Sequence, residues 1–211
     1  MEAGKYVYCI IKADGERKSF GSIGFGGEEV YTIGYKDFAA VVSDSPVEEY
    51  EAAEKEVEIH KRVAEQMMKD YSVLPVAYGM VFRNKKILLL TMSKARKAMR
   101  KAMKAVDNKV ELGIKVILPK EAAEWGGKQC ESDFSGLKKI AAESKKLKLF
   151  SERLALNASF LVDRGKIEEF SRAVGELKDK YESLKVQYSG PWPPYNFVDI
   201  HILGKRRGGF R

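Results

Sequence analysis

Three of the chain's six prolines fall within ten residues near its end, 189–198 (SGPWPPYNFV), beside one of its two tryptophans. No other stretch restricts the backbone so tightly. Pro191, Pro193 and Pro194 each fix φ and lack an N–H to donate, and each pushes the preceding residue toward extended geometry. The segment reads as a stiff turn, not a helix and not an ordinary ladder strand. Trp192 and Tyr195 place large amphipathic surfaces on it, of the kind favoured at binding hot spots. Two roles fit: a rigid turn facing a partner, or a corner whose Trp192 fills a domain interface. Neither involves making or breaking a bond.

The rest of the chain alternates strand and helix signals. Residues 5–12 (KYVYCIIK), 29–35 (EVYTIGY) and 38–43 (FAAVVS) are rich in aromatic and β-branched residues and predict strands. The short gap Lys36-Asp37 predicts a hairpin. Asp44-Ser45-Pro46 is a helix start signal. The helix it opens runs to about residue 70, with Ala53, Val57, Ala64, Met67 and Met68 on one stripe and His60 among them. Residues 73–78 (VLPVAY) predict a short apolar strand. Ser93 is the expected cap of a second helix reaching 106. Its apolar positions Ala95, Ala98, Met99, Ala102, Met103 and Val106 follow helical spacing, and the opposite face is Lys and Arg.

From residue 109 the expected order is β-α-β-α-β-β: strand 109–118, helix 134–153, strand 154–162, helix 166–181, and strands 184–189 and 196–203. That is close to a ferredoxin-like split βαβ unit with a shifted strand. The fold class is α+β. It comprises two sheet-plus-helix domains, 1–108 and 109–203, the second a modified ferredoxin-like one, followed by a basic flexible tail at 204–211.

Few sites for chemistry emerge. Cys9 and Cys130 are too few for a disulfide framework and too scattered for a metal site. The glycines of 21–27 lead toward a strand, whereas a phosphate loop opens a helix. His60, on an apolar helix stripe, fits a hydrogen-bonded core or interface histidine better than a catalyst, and His201 falls in a predicted strand. No catalytic residue, metal or cofactor is expected. No apolar run approaches the roughly 20 residues of a membrane span, and the first residues lack a signal-peptide pattern, so the expected location is the cytoplasm.

The net charge is +8 and uneven: residues 48–65 hold seven Glu against three basic residues, and residues 83–109 hold ten Lys/Arg against one Asp. Such blocks suit protein docking or two solvated helix faces. The basic helix could touch a membrane or nucleic acid. However, its Ala/Met face lacks the bulky anchors of membrane helices, and it has no exposed aromatics for base stacking. The favoured reading packs that face on the chain's own sheet, with Met99 and Met103 leaving room for an adaptable partner surface.

SGPWPPYNFV resembles the C-terminal signature of the gas vesicle protein GvpL/GvpF family. Further stretches resemble that family in the same order: an N-terminal YVYCII strand, residues 60–82 (HKRVAEQMMKDYSVLPVAYGMVF), 111–118 (ELGIKVIL) and 154–170 (LALNASFLVDRGKIEEF). Ala77-Tyr78 departs from the more polar pair of the family pattern. The resemblance implies two α+β domains and a non-enzymatic accessory protein of gas vesicles in the cytoplasm. It also implies contact with the main shell protein and other accessory proteins during vesicle formation. The partner-facing or domain-locking candidates are Pro191, Trp192, Pro193, Pro194, Tyr195, His60, Met99 and Met103. The alternative is a small-ligand-binding or regulatory ferredoxin-like protein.

Overall fold

A strand that is apolar at nearly every position, without polar alternation, must be covered on both faces. β1 (Gly4–Lys12) is such a strand, with seven consecutive buried residues. The computed structural model describes residues 3–13, 15–46, 50, 53–119 and 132–204. These form two compact units, one drawn from 1–107 and 198–211, the other Asn108–Phe197.

In the first unit β1 is central. β3 (Phe38–Ser45) pairs along one side of it, and β4 (Val73–Pro75) and β5 (Val81–Phe82) share the other side; β2 (Val30–Tyr35) lies outside β3. All pairings are antiparallel. The expected hairpin joins Tyr35 to Phe38, with Lys36 at φ +58°. Tyr6 and Tyr8, two positions apart, share one face of the sheet with their rings 4.9 Å apart, beside a register irregularity between Val7 and Cys9. α1 (Glu54–Met68) covers that face, and the Tyr6 hydroxyl meets its His60. Tyr6 is in register with Ser43, and Ser43 with Val30; Tyr35 lies five positions beyond Val30 and so on the opposite face. There the Tyr35 hydroxyl donates to Ser93 of α2 (Lys85–Val106).

Two expected helix starts are corrected. Asp44 and Ser45 remain in β3, and α1 starts at Glu54. Asp44 does not cap a helix because its carboxylate accepts from the cross-strand Lys5 Nζ and from the Tyr31 hydroxyl, both at 2.6 Å. Residues 47–49, 51 and 52 of the expected helix lie outside the described residues. α2 is capped by Asn84, whose Oδ1 accepts from the Ile87 N–H at 3.0 Å, so Ser93 lies mid-helix. Leu88 and Met92, before Ser93, extend the buried stripe.

In the second unit the sheet order is β7-β8-β6-β9, antiparallel throughout. Its strands are β6 (Lys109–Ile117), β7 (Glu143–Lys146), β8 (Leu154–Asp163) and β9 (Lys185–Trp192), with α3 (Ile167–Lys180) between the last two. The core lies on the α3 side. Leu112 and Phe160 are paired across β6 and β8, and Phe160 packs on Phe170 of α3 at 5.2 Å between ring centroids.

The expected helix 134–153 is replaced by short helical turns over 132–139 and then by β7. β7 reads ESKK and has no apolar alternation; it is a charged edge strand, the composition that blunts an open sheet edge. The expected final strand 196–203 is also corrected. Residues 196–203 form turns, with Phe197, Ile202 and Gly204 donating to carbonyls three positions back. His201 therefore lies in a turn. The basic tail from 205 lies outside the described residues, as do Cys130, Gly126 and Gly127.

Candidate functional site

The proline turn is built onto the edge of the second sheet. β9 continues through Pro191 to Trp192, which pairs with Glu111 of β6 across an irregularity between Glu111 and Gly113. An edge strand tolerates Pro191 because its outer side has no ladder to complete. Gly190 makes the bend possible. Its φ is +111°, and a β-carbon there would stand 2.8 Å from the Glu111 carbonyl oxygen. Beyond the strand the chain tightens: the Tyr195 N–H donates to the Pro193 carbonyl at 2.7 Å and the Phe197 N–H to the Pro194 carbonyl at 3.0 Å. The prolines thus contribute carbonyls to the turn and need no donors.

A buried carboxylate holds the turn in place. Glu111 is only 5% exposed. Its carboxylate accepts from the Ser159 hydroxyl at 2.8 Å, from the Asn196 main-chain N–H at 2.8 Å, and from the Asn196 side-chain amide. The same amide reaches the Ser159 oxygen at 3.2 Å. Lys145 of β7 donates to the Asn196 carbonyl at 2.8 Å and sits over the Phe197 ring, 5.5 Å from its centroid. Charge-assisted bonds of this kind are the strong ones. Three distant stretches of sequence meet here: ELGIKVIL through Glu111, LNASF through Ser159 and PPYNF through Asn196.

On this anchor Pro193 and Pro194 are buried, Tyr195 is half-buried and Pro191 is exposed. Trp192 remains 40% exposed, unusual for so large an apolar group. Glu111, Ser159, Asn196 and Lys145 were not singled out from the sequence. The available signal was Glu111 itself, a lone acid in the strand-like run VELGIKVI.

His60 and the methionines lie elsewhere. His60 is 2% exposed and surrounded by the rings of Tyr6, Tyr8 and Tyr78. Its Nε2 donates to the Val76 carbonyl at 3.2 Å, which leaves Nδ1 to accept from the Tyr6 hydroxyl at 2.9 Å. The Tyr6 oxygen in turn accepts from the Gly79 N–H at 3.0 Å. Burial disfavours the charged imidazole and pushes its pKa down to about 4, so the ring is neutral near pH 7. Each ring nitrogen has a partner, and His60 is packed in the core of the first unit. Met99 and Met103, expected to offer an adaptable surface, are instead buried at 0% and 3% exposure, under α2.

Two further groups carry side chains of the kinds used in chemistry. Cys9 is fully buried, and burial pushes its thiol well above the usual range, which suppresses the thiolate a nucleophile needs. A polar cleft of about 370 Å³ in the first unit is lined by Lys5, Arg17, Glu29, Tyr31, Asp44 and Lys85. Its charges mostly satisfy one another: Lys5 bonds Asp44 at 2.6 Å, and Arg17 bonds Glu29 at 2.8 Å while lying over the Tyr31 ring. Among the described residues no cluster of three His, Cys, Asp or Glu is placed to hold a metal, and no helix is long and apolar enough to cross a membrane.

The fold and this turn define a class: an α+β protein with two antiparallel sheets that pins a stiff aromatic turn to a buried carboxylate. The chain matches the family described as gas vesicle synthesis protein GvpL/GvpF over residues 4–126 and 119–199, and it belongs to that family. It is 34% identical to gas vesicle protein F1 of Halobacterium salinarum, with all of both chains covered. It is 33% identical to gas vesicle protein F of Haloferax mediterranei, over 99% of this chain and 100% of that one. Its fold is shared with the crystal structure of the gas vesicle protein GvpF from Anabaena sp., with a TM-score of 0.80 at 19% identity, covering 94% of this chain and 99% of that one. GvpF from Microcystis aeruginosa gives the same TM-score at 16% identity, covering 93% and 99%.

Proposed function

We propose that this protein is a non-catalytic accessory factor in gas vesicle formation, binding the main shell protein with the turn at 191–195 facing it. The supporting observation is Trp192: a large aromatic 40% exposed, on a turn held through Asn196 by Glu111 of β6 and Ser159 of β8. A preorganised aromatic loses little entropy on binding, and that is what makes such residues hot spots. The exposure favours the partner-facing role over a corner-filling one. Pro191 and Tyr195 flank the contact, and the buried Pro193 and Pro194 set its shape. Other accessory proteins of the vesicle are further partners, and the place of action is the cytoplasm and the vesicle. The second unit's strand order and its β-α-β-β-α-β sequence support a ferredoxin-like domain beginning near residue 109.

Deleting the gene together with any paralogue, and examining cells by electron microscopy, tests the role. Loss of vesicles restored by the wild-type gene is the expected result. Normal vesicles in the deletion strain would overturn it.

A further inference from the structure

The outer ridge of α2 is a second surface, separate in sequence from the proline turn. The helix is held from inside by Leu88, Met92, Met99 and Met103, all buried. Its two inner-flank arginines are already engaged: Arg96 and Arg100 pair with Asp37 at 3.3 and 3.1 Å. The remaining outward positions run Lys86, Leu90, Lys94, Lys97, Lys101 and Lys104, spaced by three or four residues and therefore in one row. The row spans about 27 Å at the rise of an α-helix. None of its five lysines has an ion-pair partner among the described residues, and no acid lies between 83 and 106 to neutralise them. At its start Ile87 and Leu90 are 42% and 51% exposed.

We infer that this ridge docks an acidic amphipathic α-helix of a partner protein, laid lengthwise along α2 with its apolar end on Ile87 and Leu90. Carboxylates at the same three-and-four spacing on a second helix meet every lysine of the row. The exposed alanines Ala98 and Ala105 beside the row allow close approach. A membrane fits less well, because apolar anchors occupy one end only and the following turns present lysine. Nucleic acid fits less well too: the arginines that would grip bases bidentately are bound to Asp37, and the helix lies against its own sheet, so it does not project into a groove.

The test uses the full chain and a labelled helical peptide of about 20 residues, carrying glutamates at this spacing and leucines at one end. A scrambled peptide of equal composition, phosphatidylglycerol vesicles and a short DNA duplex are the comparisons. The ordered peptide is expected to bind about tenfold tighter than the scrambled one, more weakly as salt rises. Charge reversal of Lys94, Lys97 and Lys101 to Glu should abolish the preference, and Leu90→Gln should weaken binding several-fold. These side chains are exposed, so circular dichroism and melting should stay at wild-type values; the corresponding change to Gln repeats the test should reversal disturb the fold. Equal binding of both peptides, a preference for vesicles or DNA, or indifference to both triple variants would overturn the inference.

Discussion

Asn196 grips Glu111 twice, through its main-chain N–H at 2.8 Å and through its side-chain amide, across 85 residues of sequence. This closure turns a proline-rich loop into a fixed feature of a sheet. It joins Glu111 and Ser159, polar residues buried within their strands, to the half-buried Asn196.

Removing either partner exposes the other to a deficit. Glu111→Ala takes the acceptor from the Ser159 hydroxyl and from the Asn196 main-chain N–H and leaves the Asn196 amide with the Ser159 oxygen alone; a buried group left unsatisfied costs about 1–3 kcal/mol. Asn196→Ala removes the side-chain amide alone, and the carboxylate keeps Ser159 and the main-chain N–H of residue 196. Urea unfolding of both singles and the double variant should show a double loss smaller than the sum of the singles, because the partners share one network. Strict additivity would mean the two do not act together.

Gly190→Ala is a second probe of the turn. The new methyl meets the Glu111 carbonyl at 2.8 Å and the Leu112 side chain at 3.1 Å, on a backbone with φ +111°. A loss of about 1–3 kcal/mol is expected. Gly136→Ala, where a β-carbon meets nothing within 4 Å, should change stability by much less. Equal effects would contradict the geometry described for the bend.

His60 predicts a pH dependence. An unfolded histidine titrates near its ordinary 6.5 and the folded one at about 4, so the unfolded chain takes up the proton first. Stability from this group is full above about pH 6.5 and falls as pH drops toward 4, by up to roughly 3 kcal/mol. His60→Gln should remove that part of the decline. The difference between wild-type and variant stability, measured by urea unfolding from pH 7 to 4, should narrow through this window. A constant difference would show that His60 does not titrate as described.

The start of α2 is open to direct test. Asn84→Ala should destabilise by about 1 kcal/mol as the loss of an N-cap. Leu88→Ala should cost about 2–5 kcal/mol as a buried leucine. Ser93→Ala loses only an exposed bond to Tyr35 and should stay within about 0.5 kcal/mol. The reverse order would place the cap at Ser93.

The same residues explain how much of the fold could be read in advance. β1, β2, β3 and their hairpin are legible because apolar and β-branched residues announce a buried sheet. α3 is legible through Phe170 and Val174 on one stripe. β7 is not, because an edge strand of Glu, Ser and Lys carries no alternation. Asp44 looked like a cap because sequence cannot show that Lys5 and Tyr31 claim it first. Residues 196–203 alternate like a strand, yet their N–H groups close turns and Asn196 is committed to Glu111. Trp192 and the prolines were visible as a turn, but the carboxylate that holds them lies in a distant strand, where a lone acid in an apolar run does not name its partner.

The central claim is that the turn presents Trp192 to the main shell protein of the gas vesicle. The most direct measurement is capture of that shell protein by purified wild-type chain and by Trp192→Ala, with melting temperatures recorded for both. The account predicts that the variant melts within a few degrees of wild type, since the ring is part-exposed, and retains much less shell protein. Undiminished capture by a folded Trp192→Ala variant would contradict it.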